Sequence, residues 1–268
     1  MRNLILITLC IMFVACESNQ TPEEKLAEAR IDAKIIDRYV HLNESFKRNK
    51  EDIDSTYFDV KYPILKLENY NSDSVINAQV FHDLKESIAG KGQSTIQKQM
   101  KDFVSDYKRF IKRHEDYKHN WTSQFRVDVS TYIPPLVVFK REMIMYTGGA
   151  HPNYGYAYQN FDADTGKEIK LEDIFVENYE HILEKIGETA FKQEHKIVGS
   201  LLDANFTFPR NKFYVPEEFT LLHKSIMFMY PLYAVAPYSK GSIHFEIPYT
   251  ELKSIIKPNS IIQKITRK

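Results

Sequence analysis

The chain has 268 residues, with 36 Lys+Arg against 36 Asp+Glu, and it carries 17 Tyr and 17 Phe. Balanced charge argues against nucleic acid as a partner, because a phosphate backbone is held by a surplus of Lys and Arg. The two cysteines, Cys10 and Cys16, both fall in or at the end of an apolar leader, so the mature chain has no disulfide and no Cys-ligated metal, and no cofactor is implied.

Met1-Arg2-Asn3 is a short positive start, residues 4–14 are apolar apart from Thr8, and Phe13-Val14-Ala15 places a small residue before Cys16. This is the pattern of an export signal. At ~1.5 Å per residue the run covers only about half of a ~30 Å hydrocarbon core, so it is too short to span. Residues 1–15 are read as a lipoprotein signal peptide, with Cys16 as the lipid attachment site, although Phe13 stands where the lipobox usually has Leu. The mature protein is then expected at a bacterial cell envelope, extracytoplasmic and anchored to the membrane by acyl chains. The polar block of residues 17–22 reads as the start of a stalk.

Thr21-Pro22-Glu23-Glu24 opens a helix: Thr caps, Pro occupies the first turn and acids meet the positive end of the dipole. That helix or stalk is expected to reach about Asp37, and residues 16–50 are read together as lipidated Cys and stalk. Residues 57–67 alternate as a strand, with Pro63 at an edge or bulge. Val75, Ile76, Val80, Leu84 and Ile88 then fall at helical spacing until Gly90-Lys91-Gly92, and Ile96, Met100, Phe103, Val104 and Tyr107 repeat that spacing.

From Asn120 the period shortens to two. Strands are predicted through Phe125, Val127 and Val129, from Leu136 to Tyr146 beyond Pro134-Pro135, and over residues 154–161. A tight turn over 162–167 leads into a short strand continuation over 169–175, and a helix is expected over 177–199. The chain then returns to strands at 219–230 and 242–247, with a last amphipathic turn over 249–256. Blocks of strands and blocks of helices, without regular alternation, define an α+β fold with antiparallel sheet and packed helices.

The densest local signal is Tyr146-Thr147-Gly148-Gly149-Ala150-His151-Pro152-Asn153. Gly148 and Gly149 permit positive φ, and Pro152 fixes its own φ and pushes His151 toward extended backbone. The stretch is either a plain corner between strands or a shaped binding loop. Tyr154, Tyr156 and Tyr158 alternate and so share one strand face, either as core or as a solvent-facing row suited to a glycan. Tyr230-Pro231-Leu232-Tyr233 and Ala236-Pro237-Tyr238 form a proline-punctuated loop that either packs over the sheet's end or projects Tyr233 and Tyr238 toward a partner. The candidate binding residues are thus Gly148, Gly149, His151, Asn153, Tyr154, Tyr156, Tyr233 and Tyr238.

Tyr146 to Asn153, the string Asn160-Phe161-Asp162-Ala163-Asp164-Thr165-Gly166-Lys167 running on to Phe175, and Tyr233 to Gly241 followed by Ile247-Pro248-Tyr249-Thr250-Glu251-Leu252 resemble, in that order, the extracytoplasmic RsiV-type domain family (DUF3298). Residues 118–268 would form that domain. Residues 54–117, with Tyr62-Pro63 and Asn77, are similar to the smaller DUF4163 module that usually precedes it. The resemblance implies binding or sensing: one member is the outer half of a membrane-spanning anti-sigma factor and binds lysozyme by occupying its cleft, and another relative carries both modules ahead of a peptidoglycan deacetylase. The signalling and deacetylase parts are not expected in this chain. A muramidase, another lysozyme-like envelope protein or peptidoglycan is the partner implied.

Enzymatic readings find little support. No Gly-x-Ser-x-Gly is present, no two of the nine histidines stand at i, i+4, and Asn160-Asp162-Asp164 fails as a calcium loop because Thr165 and Leu171 occupy its Gly and Glu positions. A pair of carboxylates for glycan hydrolysis leaves no sequence pattern, so that reading stays as the least favoured one.

Overall fold

A computed structural model describes residues 35–92 and 94–267. The expected signal peptide, its lipid attachment site at Cys16 and the helix expected from Thr21 lie outside the described residues. The architecture is α+β, with one five-stranded and one three-stranded sheet.

The larger sheet holds β1 (Ile36–Phe46), β2 (Thr56–Leu65), β3 (Thr122–Ile133), β4 (Leu136–Tyr146) and β5 (Asn153–Asp162) in the order 1-2-3-4-5. The stalk expected to reach residue 50 is therefore too long. Ile36–Phe46 is instead an edge strand paired antiparallel with β2, and its alternation is obscured in the sequence by Tyr39 on the exposed row and Glu44 on the half-buried one.

Between β2 and β3 run α1 (Tyr70–Ala89) and α2 (Ile96–Arg113). This long crossover lets β2 and β3 pair parallel, the one departure from an antiparallel sheet. Their pairing ends at Lys61↔Arg126, so Pro63 lies beyond β3, where its missing N–H forfeits no ladder bond. Asn69 caps α1 by accepting from the Asn71 N–H, and Thr95 caps α2 by accepting from the Lys98 N–H. Ile76, Val80 and Leu84, spaced by four, press onto Phe58, Val60, Phe125 and Val127 to make the first core. Val75 does not belong to that stripe and is exposed.

The smaller sheet orders β6 (Phe219–Leu221), β7 (Ser225–Tyr230) and β8 (Ile243–Pro248), all antiparallel. It packs with α4 (Glu180–Glu194) into a second core. Phe191 on α4 is fully buried and stands within 6 Å, ring centre to ring centre, of Phe206, Phe208, Phe213, Tyr230 and Phe245. Gly187, one turn earlier, lets α4 approach: a Cβ there would lie 3.2 Å from Val215 and 3.3 Å from the Phe213 and Phe245 rings.

The predicted strand over 169–175 does not form. Isolated bridges form only at its two ends, Phe161↔Glu168 just before it and Phe175↔Ile256 at its last residue, and between them the chain turns into the short α3 (Leu171–Ile174), where the Asp173 carboxylate accepts from the Lys170 N–H. A short C-terminal helix, α5 (Ile261–Thr266), was not anticipated; its Ile261, Ile262 and Ile265 close the second core.

β4 links the cores. Leu136 and Val138 enter the second core, while Val137 and Phe139 enter the first, because successive strand side chains face opposite ways. The seam between the sheets is closed by Asn160, 2% exposed. Its amide donates to the Phe219 carbonyl at 3.0 Å and accepts from the Leu221 N–H at 2.9 Å, as a neighbouring strand would. Among the described residues no helix is long and apolar enough to cross a membrane.

Candidate functional site

The β4–β5 loop is shaped as its glycines require. Gly148 and Gly149 have φ of 108° and 107°, and a Cβ at Gly148 would lie 2.7 Å from the Tyr117 hydroxyl. Tyr146 pins the loop by donating its hydroxyl to the Gly149 carbonyl at 3.1 Å. His151, beyond the bend, is exposed.

The β7–β8 loop meets it from the other side. Its base is anchored by buried Val235, whose carbonyl accepts from the Thr207 N–H at 2.8 Å. Above that anchor Tyr233 is 58% exposed, and its backbone sits in the left-handed region at φ 66°. A bulky side chain there is an outlier that the surrounding structure must hold.

Tyr238 is the hub. The His151 ring stacks on it at 3.8 Å and 17°, Tyr154 meets it nearly edge-on at 5.5 Å, and Tyr233 lies 5.7 Å away. The Tyr238 hydroxyl donates to the Pro152 carbonyl at 3.1 Å. Nδ1 of His151 stands 3.0 Å from that same carbonyl, which can only accept, so Nδ1 carries the hydrogen. Nε2 is then the acceptor facing the Tyr233 hydroxyl at 3.5 Å. Four candidates from segments 82 residues apart thus form one aromatic cluster, with His151 and Tyr233 exposed and Tyr154 and Tyr238 half-buried. It offers ring faces with hydroxyls at their edges, a chemistry suited to contact with another surface.

The other candidates fall elsewhere. Asn153 is exposed at the start of β5, in register with Met145. Tyr156 is half-buried on the second core, with the Lys140 ammonium 5.3 Å over its ring, and Tyr158 is 8% exposed. The tyrosine row therefore descends from surface into core and is not a solvent-facing platform.

A second feature had no sequence signal. A cleft of about 830 Å³ opens beside the seam between the sheets, with Asp83, Arg141, Gln159 and Glu218 among its walls. Asp83 accepts from the side-chain amides of Gln79 at 3.0 Å and Gln159 at 2.6 Å. Burial pushes its carboxyl up, but these amides, the His82 ring and the Arg141 charge outweigh that and hold it below the usual range. Glu218 takes the Tyr158 N–H, and burial drives its carboxyl above the usual range despite that bond and the nearby Arg141. Metal-type donors within 4.8 Å of one another occur at His82, Asp83 and Glu86 on α1. Their protein partners already account for them: His82 Nδ1 lies 3.2 Å from Asp83, whose oxygens also take the two glutamine amides.

These features sit on a two-sheet α+β body with its helices grouped between β2 and β3 and around the smaller sheet. Within it, residues 172–250 match the family described as "Protein of unknown function (DUF3298)". The whole fold is similar to the crystal structure of a DUF3298 family member from Bacteroides fragilis, at 21% identity and a TM-score of 0.70, covering 86% of this chain and 97% of that one. It is similar as well to a DUF3298 family protein from Pseudomonas aeruginosa PAO1, at 22% identity and a TM-score of 0.60, covering 83% of this chain and 95% of that one. No curated protein matches the chain.

Proposed function

We propose that the chain is a lipid-anchored, non-catalytic binding protein of the bacterial cell envelope, and that the cluster of His151, Tyr154, Tyr233 and Tyr238 contacts a protein partner. The observation that carries this reading is Tyr233. A large aromatic ring is held exposed on left-handed backbone and bonded to a loop 82 residues away in sequence. Strain of this kind, typically about 1–3 kcal/mol, concentrates where side chains are displayed for recognition.

The resemblance to the RsiV-type ectodomain supports a muramidase or related envelope enzyme as the partner, with residues 54–117 in the place of the DUF4163 module. A glycan module is the weaker reading, because Tyr156 and Tyr158 are withdrawn into the core. The test is a pull-down of the purified full chain against muramidases and against peptidoglycan sacculi. Capture of a muramidase by the native protein and not by Tyr233→Ala supports the proposal; capture of peptidoglycan alone overturns it in favour of the glycan reading, and capture of neither removes both. The anchor has its own test, incorporation of radioactive palmitate by the native chain and not by Cys16→Ala.

A further inference from the structure

The cleft beside the seam is separate from the aromatic cluster and shares none of its residues. Its volume, about 830 Å³, falls in the range of true ligand pockets, which run from roughly 300 to 1,000 Å³. Its floor combines apolar side chains, including Leu183, Val215 and Phe219, with the polar set of Asp83, Arg141, Gln159 and Glu218. The polar set is internally matched. Asp83 and Glu218 both feel the Arg141 charge, and each takes a hydrogen bond from β5, Asp83 from the Gln159 side chain and Glu218 from the Tyr158 backbone.

The rim is not matched. Glu168 is neutralised by Lys170 at 2.7 Å and Glu184 faces Lys212 at 3.6 Å, but Glu172, Glu180 and Glu217 also face the opening and are exposed. In all, seven carboxylates line the cleft against two lining cations, Arg141 and Lys170, with Lys212 beside Glu184 and Lys257 donating to the Glu172 carbonyl at its edge. The chain as a whole has no net charge, so this excess is a property of the site and not of the composition. A cleft with an excess of one sign of charge and partly apolar walls draws counter-charged ligands.

We infer that this cleft binds a basic peptide segment, its Lys or Arg side chains meeting the rim carboxylates of Glu172, Glu180 and Glu217 while its aliphatic stems lie on the apolar floor. An extended segment suits the cleft better than a compact cation, because the unmatched acids stand on three separate elements: α3, the start of α4, and the strand entry before β6.

The experiment is fluorescence anisotropy of the purified full chain with a labelled nonapeptide alternating Lys or Arg with Leu, at about 50 mM salt. Saturable binding is expected. It should weaken at least about tenfold in E180Q/E217Q and at about 0.5 M salt, where screening reaches only a few ångströms. A Glu-for-Lys/Arg peptide of the same length should not bind. Melting curves of E180Q/E217Q should match the native chain, since both side chains are exposed. Tyr233→Ala should bind the peptide unchanged, which separates this site from the cluster proposed above. Absence of saturable binding, equal binding by E180Q/E217Q, or loss of binding in Tyr233→Ala overturns the inference. Spermine that binds as tightly as the peptide overturns it in favour of a small polyamine site.

Discussion

Tyr233 joins two properties that a protein has no structural reason to combine, wide exposure and a left-handed backbone. Glycine removes the Cβ strain at such a position, roughly 1–2 kcal/mol, but adds unfolded-state entropy of about 0.5–1 kcal/mol. Tyr233→Gly is therefore expected to melt within about 1 kcal/mol of the native chain while losing partner binding. Tyr233→Ala should lose about 2 kcal/mol or more of binding by calorimetry, as an aromatic anchor does. Unchanged affinity in both variants would remove Tyr233 from the contact.

Asp83 and Glu218 make opposite predictions with pH. The Asp83 carboxyl lies below its ordinary value in the fold, so its stabilisation is full above the unfolded value of about 3.9 and is lost as pH falls through the lower folded value. The Glu218 carboxyl is raised, so the fold is favoured below the unfolded value of about 4.3 and loses that contribution as pH rises through the folded value. Asp83→Asn should then melt below the native chain at neutral pH, with the gap closing in acid. Glu218→Gln, which keeps an oxygen for the Tyr158 N–H, should melt above it at neutral pH, and this gap too should close below about pH 4.

At the scale of elements, two side chains cross the seam, Glu218 with one bond and Asn160 with two. Asn160→Ala leaves the Phe219 carbonyl and the Leu221 N–H without the partner that each has now. Buried groups orphaned in this way cost roughly 1–3 kcal/mol each, so a loss of about 2–6 kcal/mol is expected in urea titrations. A loss below 1 kcal/mol would mean that the sheets are held together elsewhere. The helices were largely legible, because the four-residue spacing of Ile76, Val80 and Leu84 and the caps at Asn69 and Thr95 are local signals. β1 was not, since Tyr39 on its exposed row and Glu44 on its half-buried row blur the alternation. The α3 turn was missed because Ile169 and Ile174, both buried, fit strand and helix readings equally well.

At the scale of the whole molecule, the two cores meet through β4 and the Asn160 seam, and a cleft opens beside them. The proposed lipid anchor would leave both the aromatic cluster and this cleft on an extracytoplasmic body. Cys16→Ala is expected to release the protein from the membrane fraction without changing the melting temperature, as fractionation and calorimetry can check. Retention in the membrane fraction would point to an attachment other than the acyl chains.

Most of the helices, the central strands and the loop candidates were written in the chain itself, because periodicities and Gly-Gly or Pro signals act over a few residues. His151, Tyr154, Tyr233 and Tyr238 could be suspected one by one on those grounds. Their assembly around a single ring, and the meeting of Asp83 with Glu218 at Arg141, were decided by tertiary structure. Contacts between residues dozens of positions apart follow from how two sheets pack, and no local pattern encodes that distance.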